Sequence, residues 1–103
     1  MLIVNTTYHV SETIEDEWKT WVCTIYIPQV IAPGIMKQPR FHRLLIENEP
    51  GHQSYALQFE VEDLDTLDLW FQSHGTKMQK ELSDQFHEKV LGFTTLMETI
   101  DLE

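Results

Sequence analysis

Cysteine is almost absent from this chain: Cys23 is the only one among 103 residues, so no intramolecular disulfide can form. Basic residues are scarce too. Seven Lys and Arg stand against seventeen Asp and Glu, a formal net charge of −10. Such a balance repels nucleic acid and anionic membrane over most of the surface and otherwise serves solubility. No apolar run approaches the ~20 residues of a membrane span. The opening MLIVNTTYHV has neither the basic region nor the apolar stretch of a signal peptide. A cytoplasmic location is the expectation. Phosphate-cradling glycine loops and nucleophile elbows are missing. The histidines, at 9, 42, 52, 74 and 87, have no metal-ligand spacing between neighbours, and the lone cysteine is remote in sequence from most of them. No metal and no other cofactor is therefore expected.

What is present is enough for a core. Hydrophobic residues make up 42% of the chain, and eleven are aromatic, which argues against disorder. One domain over residues 1–101 is expected. Leu102-Glu103 has the look of a vector-derived remnant and is set aside.

The stretch 52–75 organises the rest. Tyr55, Leu57, Phe59 and Val61 alternate with polar or small neighbours, the period of a half-buried strand. Leu64, Leu67, Trp70 and Phe71 then follow helical spacing, which predicts a helix from 63 or 64 to 74 with Gly75 at its C′ position. Thr76 and Gln79 resemble a capping box, so a further helix is predicted, carrying Met78, Leu82 and Phe86 inward.

Upstream, residues 2–10 alternate as a strand. Leu2, Val4, Thr6, Tyr8 and Val10 share one face, and Ile3, Asn5, Thr7 and His9 share the other. Ser11 is a plausible N-cap followed by acids, and Ile14, Trp18, Trp21, Val22 and Ile25 form a helical stripe reaching 26 or 27. Pro28 either kinks this helix or starts another turn, and Pro33-Gly34 ends it. Core packing is the favoured role of both tryptophans, and Cys23 beside them reads as a small buried or semi-buried hydrophobe rather than a nucleophile.

Residues 40–48 read as a second strand and Glu49-Pro50-Gly51-His52 as a turn into the third. That loop sets Arg43 opposite Gln58 and Leu45 opposite Ala56. It sends His42, Leu44 and Ile46 toward the helices, and Phe41, Arg43, Leu45 and Glu47 away from them. Residues 89–100 form the last strand. The order is β-α-β-β-α-β, an α+β, ferredoxin-like two-layer sandwich.

Several segments also carry a family resemblance. They are Leu2-Ile3-Val4-Asn5, Tyr26-Ile27-Pro28-Gln29-Val30, the strand from Arg40 to Leu45, Ser54-Tyr55-Ala56-Leu57-Gln58-Phe59, and Phe93-Thr94-Thr95-Leu96-Met97-Glu98. Together they resemble a family of short bacterial proteins of unknown function, similar in outline to the dimeric α/β-barrel proteins. Those include cofactor-free monooxygenases, isomerases and stress-response modules. The resemblance implies the fold and a dimer, and it carries over no catalytic residue.

On this reading Asn5, Thr7, Arg43, Gln58 and Thr94 form a polar set on the open sheet face, among Ile3, Phe41, Leu45, Ala56 and Leu96. So apolar a face needs a cover, and the same face of a second copy would close two sheets into a barrel. RNA recognition on this sheet is excluded by the charge and by Ala56 and Gln58 where stacking aromatics belong. Two functions stay open. One is a non-catalytic homodimeric module binding a small molecule or a protein. The other is a cofactor-independent enzyme, monooxygenase- or isomerase-like, acting on a small carbonyl or aromatic substrate. In the second, His42, Tyr8, Tyr55 and Trp18 line a pocket, with His42 transferring the proton. The module is preferred because no acid–base pair has suitable spacing.

Overall fold

β1, Leu2–Ser11, lies inside a four-stranded sheet of order β2-β3-β1-β4, with β2 at Lys37–Arg43, β3 at His52–Val61 and β4 at Val90–Glu98. The computed structural model describes residues 1–102. All neighbouring strands are antiparallel. A first helical segment, 12–31, joins β1 to β2, and a second, 64–86, joins β3 to β4. This is the α+β ferredoxin-like arrangement.

The alternation in β1 and β3 buries Val4, Tyr8, Val10, Tyr55, Leu57, Phe59 and Val61. The helices answer with Trp18, Val22, Val30, Leu67, Trp70, Met78 and Phe86. Trp18 is fully buried, and its ring meets those of Tyr8, Phe41 and Tyr55 at centroid distances of 5.2, 5.6 and 5.2 Å. Apolar burial stabilises at roughly 25 cal/mol per Å² removed from water, so these aromatic rings supply much of the core energy.

Each helix contains one widened turn. In the first, α-helix over Glu15–Trp21 passes into a π turn, Val22–Tyr26, and back into α-helix over Ile27–Ile31. The backbone N–H of Ile27 reaches the carbonyl of Val22, five residues back. Pro28 explains this. It has no N–H, and its ring would press on the carbonyl four residues earlier, so the chain widens before it rather than breaking. The second helix repeats the device with Leu64–Trp70, a π turn at Phe71–Gly75, and Thr76–Phe86. Asp63 caps its start, accepting from the Thr66 N–H at 2.8 Å.

Gly75 therefore does not end a helix. Its φ is −63°, ordinary right-handed helix. The glycine is required by crowding, because a Cβ there would stand 2.6 Å from both Phe71 Cδ1 and Trp70 Cζ3.

The β2–β3 register also differs from expectation. The pairs are Arg40 with Gln58, Phe41 with Leu57, His42 with Ala56 and Arg43 with Tyr55. The shift from the expected pairing is odd, so every β2 side chain changes face. Phe41 turns inward against Trp18 and Tyr55, while His42 is exposed on the open side. The turn at Glu49–His52 does form, closed by the His52 N–H to the Glu49 carbonyl at 3.1 Å, with Gly51 at φ 85°. It sits at the end of an irregular connection over 44–51, however, and β2 has already ended at Arg43. Burying the Phe41 ring outweighs burying Leu44 and Ile46; Leu45 and Ile46 are left exposed on that connection.

Cys23, expected to be buried or semi-buried, is exposed instead. β4 is corrected too. Thr94 pairs with Thr6 and Leu96 with Val4, which places both on the helix side. The apolar part of the open face is instead Ile3, Ala56, Leu91, Phe93 and Met97, and Phe93 remains 67% exposed.

Candidate functional site

Between the helix-facing side of the sheet and the two widened turns lies a cavity of about 420 Å³. β1 contributes Val4, Thr6 and Tyr8 to its wall, and β3 contributes Leu57 and Phe59. Tyr26 comes from the first π turn, and Phe71 and Gly75 come from the second, next to Trp70. Leu82, Ser83 and Gln79 follow on the second helix, and Val90, Gly92 and Thr94 on β4. Widened turns swing side chains out of helical register, which is why they recur at functional sites.

Two glycines hold the space open. A Cβ at Gly92 would lie 2.9 Å from Tyr8 Cδ1 and 3.0 Å from Tyr8 Cε1, so the Tyr8 ring packs flat across this strand position. Gly75 does the same for Trp70 and Phe71.

A line of hydroxyls runs along the wall. Thr94 and Thr6 are 2.9 Å apart at Oγ1. The Tyr8 hydroxyl is influenced by both Thr6 and Tyr26. Burial raises the Tyr8 pKa well above the ordinary tyrosine value, with Tyr26 reinforcing the shift and Thr6 opposing it. Burial raises Tyr26 as well, and Tyr8 acts the other way. The Tyr26 ring is held by stacking on Trp21, with centroids 5.3 Å apart.

No His, Cys, Lys, Arg, Asp or Glu is among the lining residues, so the cavity offers neither metal ligands nor a group that titrates near neutrality. Its chemistry is that of aromatic contact and neutral hydrogen bonding.

The residues singled out from sequence separate. Tyr8 lines the cavity. Trp18 and Tyr55 pack beside it in the core and are outside its lining; the Tyr55 hydroxyl donates to Glu15. Burial raises the Tyr55 pKa first, and the Glu15 bond adds to it. His42 faces the other way and cannot transfer a proton here. Asn5 and Gln58 do meet on the open face, Gln58 Nε2 donating to Asn5 Oδ1 at 3.1 Å. Arg43 is not with them and lies over the Tyr55 ring at 5.8 Å. Tyr26, Trp70, Gly75 and Gly92 were missed. A glycine within an otherwise apolar strand, and a proline inside a helical stripe, were the available signals.

Comparison with solved structures places the fold. HapK from Hahella chejuensis is 16% identical, superposes with a TM-score of 0.72, and is matched over 97% of this chain and 93% of its own. A candidate antibiotic biosynthesis monooxygenase from Deinococcus radiodurans is 15% identical with a TM-score of 0.70, over 100% of this chain and 96% of that one. A dimeric ferredoxin-like protein from an uncultured marine organism is 6% identical with a TM-score of 0.62, over all of both chains. At these identities the likeness concerns the fold alone. None of the curated proteins matches the chain in sequence. Among the described residues no helix is long and apolar enough to cross a membrane. The model of one family spans residues 1–100, and the chain thereby belongs to the family described as a domain of unknown function, DUF4286.

Proposed function

We propose that this protein binds a small, neutral, largely aromatic molecule in the cavity between its sheet and its two widened helical turns, without transforming it. The single observation that carries this reading is the make-up of the wall. About 420 Å³ of space is bounded by aromatic and aliphatic side chains, with hydroxyls as its hydrogen-bonding line and no ionisable group that works near pH 7. That volume lies within the ~300–1,000 Å³ range of small-molecule pockets. Because burial keeps Tyr8 and Tyr26 protonated, a carbonyl or hydroxyl on the ligand would meet a neutral donor.

The supporting experiment is native mass spectrometry of small molecules retained by the protein, with Leu82→Trp as comparison. Leu82 is half-buried on the wall, and the indole would occupy part of the space. A retained molecule with a carbonyl or hydroxyl, lost in Leu82→Trp, is expected. Equal retention by both would sink the reading.

The second reading, a cofactor-independent enzyme, is favoured by one feature: the hydroxyls of Thr94, Thr6, Tyr8 and Tyr26 line the same cavity, and Tyr26 could pass a proton to or from a bound carbonyl. His42 has no part in it. Incubating the retained molecule with the protein, with and without oxygen, separates the two readings. Turnover that disappears in Tyr26→Phe would favour the enzyme.

Two copies are proposed to pair through the open sheet face, in a reducing, cytoplasmic setting that suits an exposed free Cys23. Ile3, Leu91, Phe93 and Met97 supply the apolar surface, and the dimeric ferredoxin-like neighbour is consistent with such pairing.

A further inference from the structure

On the open face, away from the cavity, the β1–β3 register brings together side chains that are distant in sequence. Ser11 pairs with His52 and His9 with Ser54, so His9 and His52 are diagonal neighbours on one face. Their rings lie 4.5 Å apart and within 8° of parallel. Glu49 reaches over both, its Oε2 standing 3.9 Å from His9 Nε2 and 3.9 Å from His52 Nδ1. One ligand-type atom from each of the three falls within 4.8 Å of the others.

The Glu49 end of this group is held in place. Glu49 and His52 are the two ends of the same β-turn, closed by the 3.1 Å backbone bond, and the Glu12 N–H fixes that turn through the Gly51 carbonyl at 2.8 Å. Ser54 Oγ donates to Asn48 Oδ1 at 2.6 Å, tying the preceding residue to β3. One observation in the group is otherwise unexplained. His52 Nδ1 is shut off from solvent and has no hydrogen-bond partner among the described residues, since 3.9 Å to Glu49 is too long for one. An unpaired ring nitrogen beside a second imidazole and a carboxylate makes a convergent set of donor atoms.

We propose that His9, Glu49 and His52 bind a divalent transition-metal ion of the Zn²⁺ or Co²⁺ class, with a water in the fourth position. Two imidazoles and one carboxylate are a recurrent donor set for such ions at an open, four-coordinate site. The lone pairs of two parallel rings run side by side, so one ring has to turn out of the stack to share an ion. His9 has the room, at 36% side-chain exposure. The ion would fasten the 44–51 connection to β1. Adjacent spacing in sequence does not show this set, because strand pairing, not helical repeat, brings the histidines together.

The test uses protein free of any polyhistidine, stripped with chelator and titrated with Zn²⁺ and with Co²⁺ by calorimetry. One saturable ion per chain is expected. His9→Ala, His52→Ala and Glu49→Gln should each weaken it by at least ~tenfold, while His87→Ala, at an exposed residue outside the group, should not. In the wild type, Zn²⁺ should shift the His9 and His52 ring proton resonances together as the stack opens, a readout independent of any variant. Absence of saturable binding overturns the proposal. So does unchanged binding in His9→Ala and His52→Ala, or shifts that fall on His42, His74 or His87 instead.

Discussion

Replacing Gly75 with alanine tests the packing argument most sharply, because two principles pull in opposite directions. At an ordinary helix position the change gains about 1 kcal/mol. Gly75 has ordinary helical φ, so nothing in its backbone forbids alanine. The added Cβ, however, would meet Phe71 Cδ1 and Trp70 Cζ3 at 2.6 Å and Trp70 Cε3 at 3.0 Å. Trp70 is only 3% exposed, and its ring cannot swing aside without disturbing the core. Overpacking of this kind costs about 1–3 kcal/mol. Set against the helix gain, the net loss reaches ~2 kcal/mol. At ~4–8 °C per kcal/mol for a domain near this size, the melting temperature should fall by up to ~15 °C. Thermal denaturation followed by far-ultraviolet circular dichroism measures this, and the near-ultraviolet signal should change with the Trp70 environment. Ser73→Ala, exposed in the same turn, should lie within about 0.5 kcal/mol of wild type. A Gly75→Ala protein more stable than wild type would refute the reasoning.

Other outcomes follow from the same structure. The raised pKa values of Tyr8 and Tyr26 mean that the folded state holds these protons more tightly than the unfolded chain. Their contribution is complete below the unfolded tyrosine value of about 10 and is lost as pH rises through the folded values. Urea unfolding at a series of alkaline pH values should show that loss, and Tyr8→Phe should flatten it. Trp18→Ala should cost about 3–5 kcal/mol, a large part of a typical domain's stability, and is expected to leave the chain largely unfolded by circular dichroism. Trp18→Phe should be milder, since it also removes a buried indole N–H that has no partner among the described residues. In sedimentation at micromolar concentration, Phe93→Asp should yield monomer and Leu45→Asp should not, while added salt should tighten the wild-type dimer by screening its charge of −10. A Phe93→Asp protein that remained dimeric would put the interface elsewhere.

The strands β1 and β3 were legible because a sheet buried on one face imposes strict alternation, and Val4, Tyr8, Leu57 and Phe59 obey it. β2 was not. In RFHRLLIEN two alternations overlap: one turns His42, Leu44 and Ile46 toward the helices, the other Phe41 and Arg43. Only the presence of Trp18 opposite decides for Phe41, and that contact is tertiary. Gly75 misled for a similar reason. Locally it reads as a helix stop, whereas two aromatic rings from the preceding turn are what exclude a side chain there. The cavity needed both helices at once, so Tyr8 could be named from its strand but Tyr26, in a widened turn inside the first helix, could not. The histidines were weighed by their spacing along the chain, and β1–β3 pairing supersedes that spacing.

The claim at the centre of this account is that the cavity, rather than the open face, takes the small molecule. Nuclear magnetic resonance mapping of the retained molecule on the protein addresses it directly. Intermolecular contacts and shift changes should gather on Thr6, Tyr8, Tyr26, Trp70 and Gly92. Contacts confined to Asn5, Gln58 and His42 on the open face would contradict it.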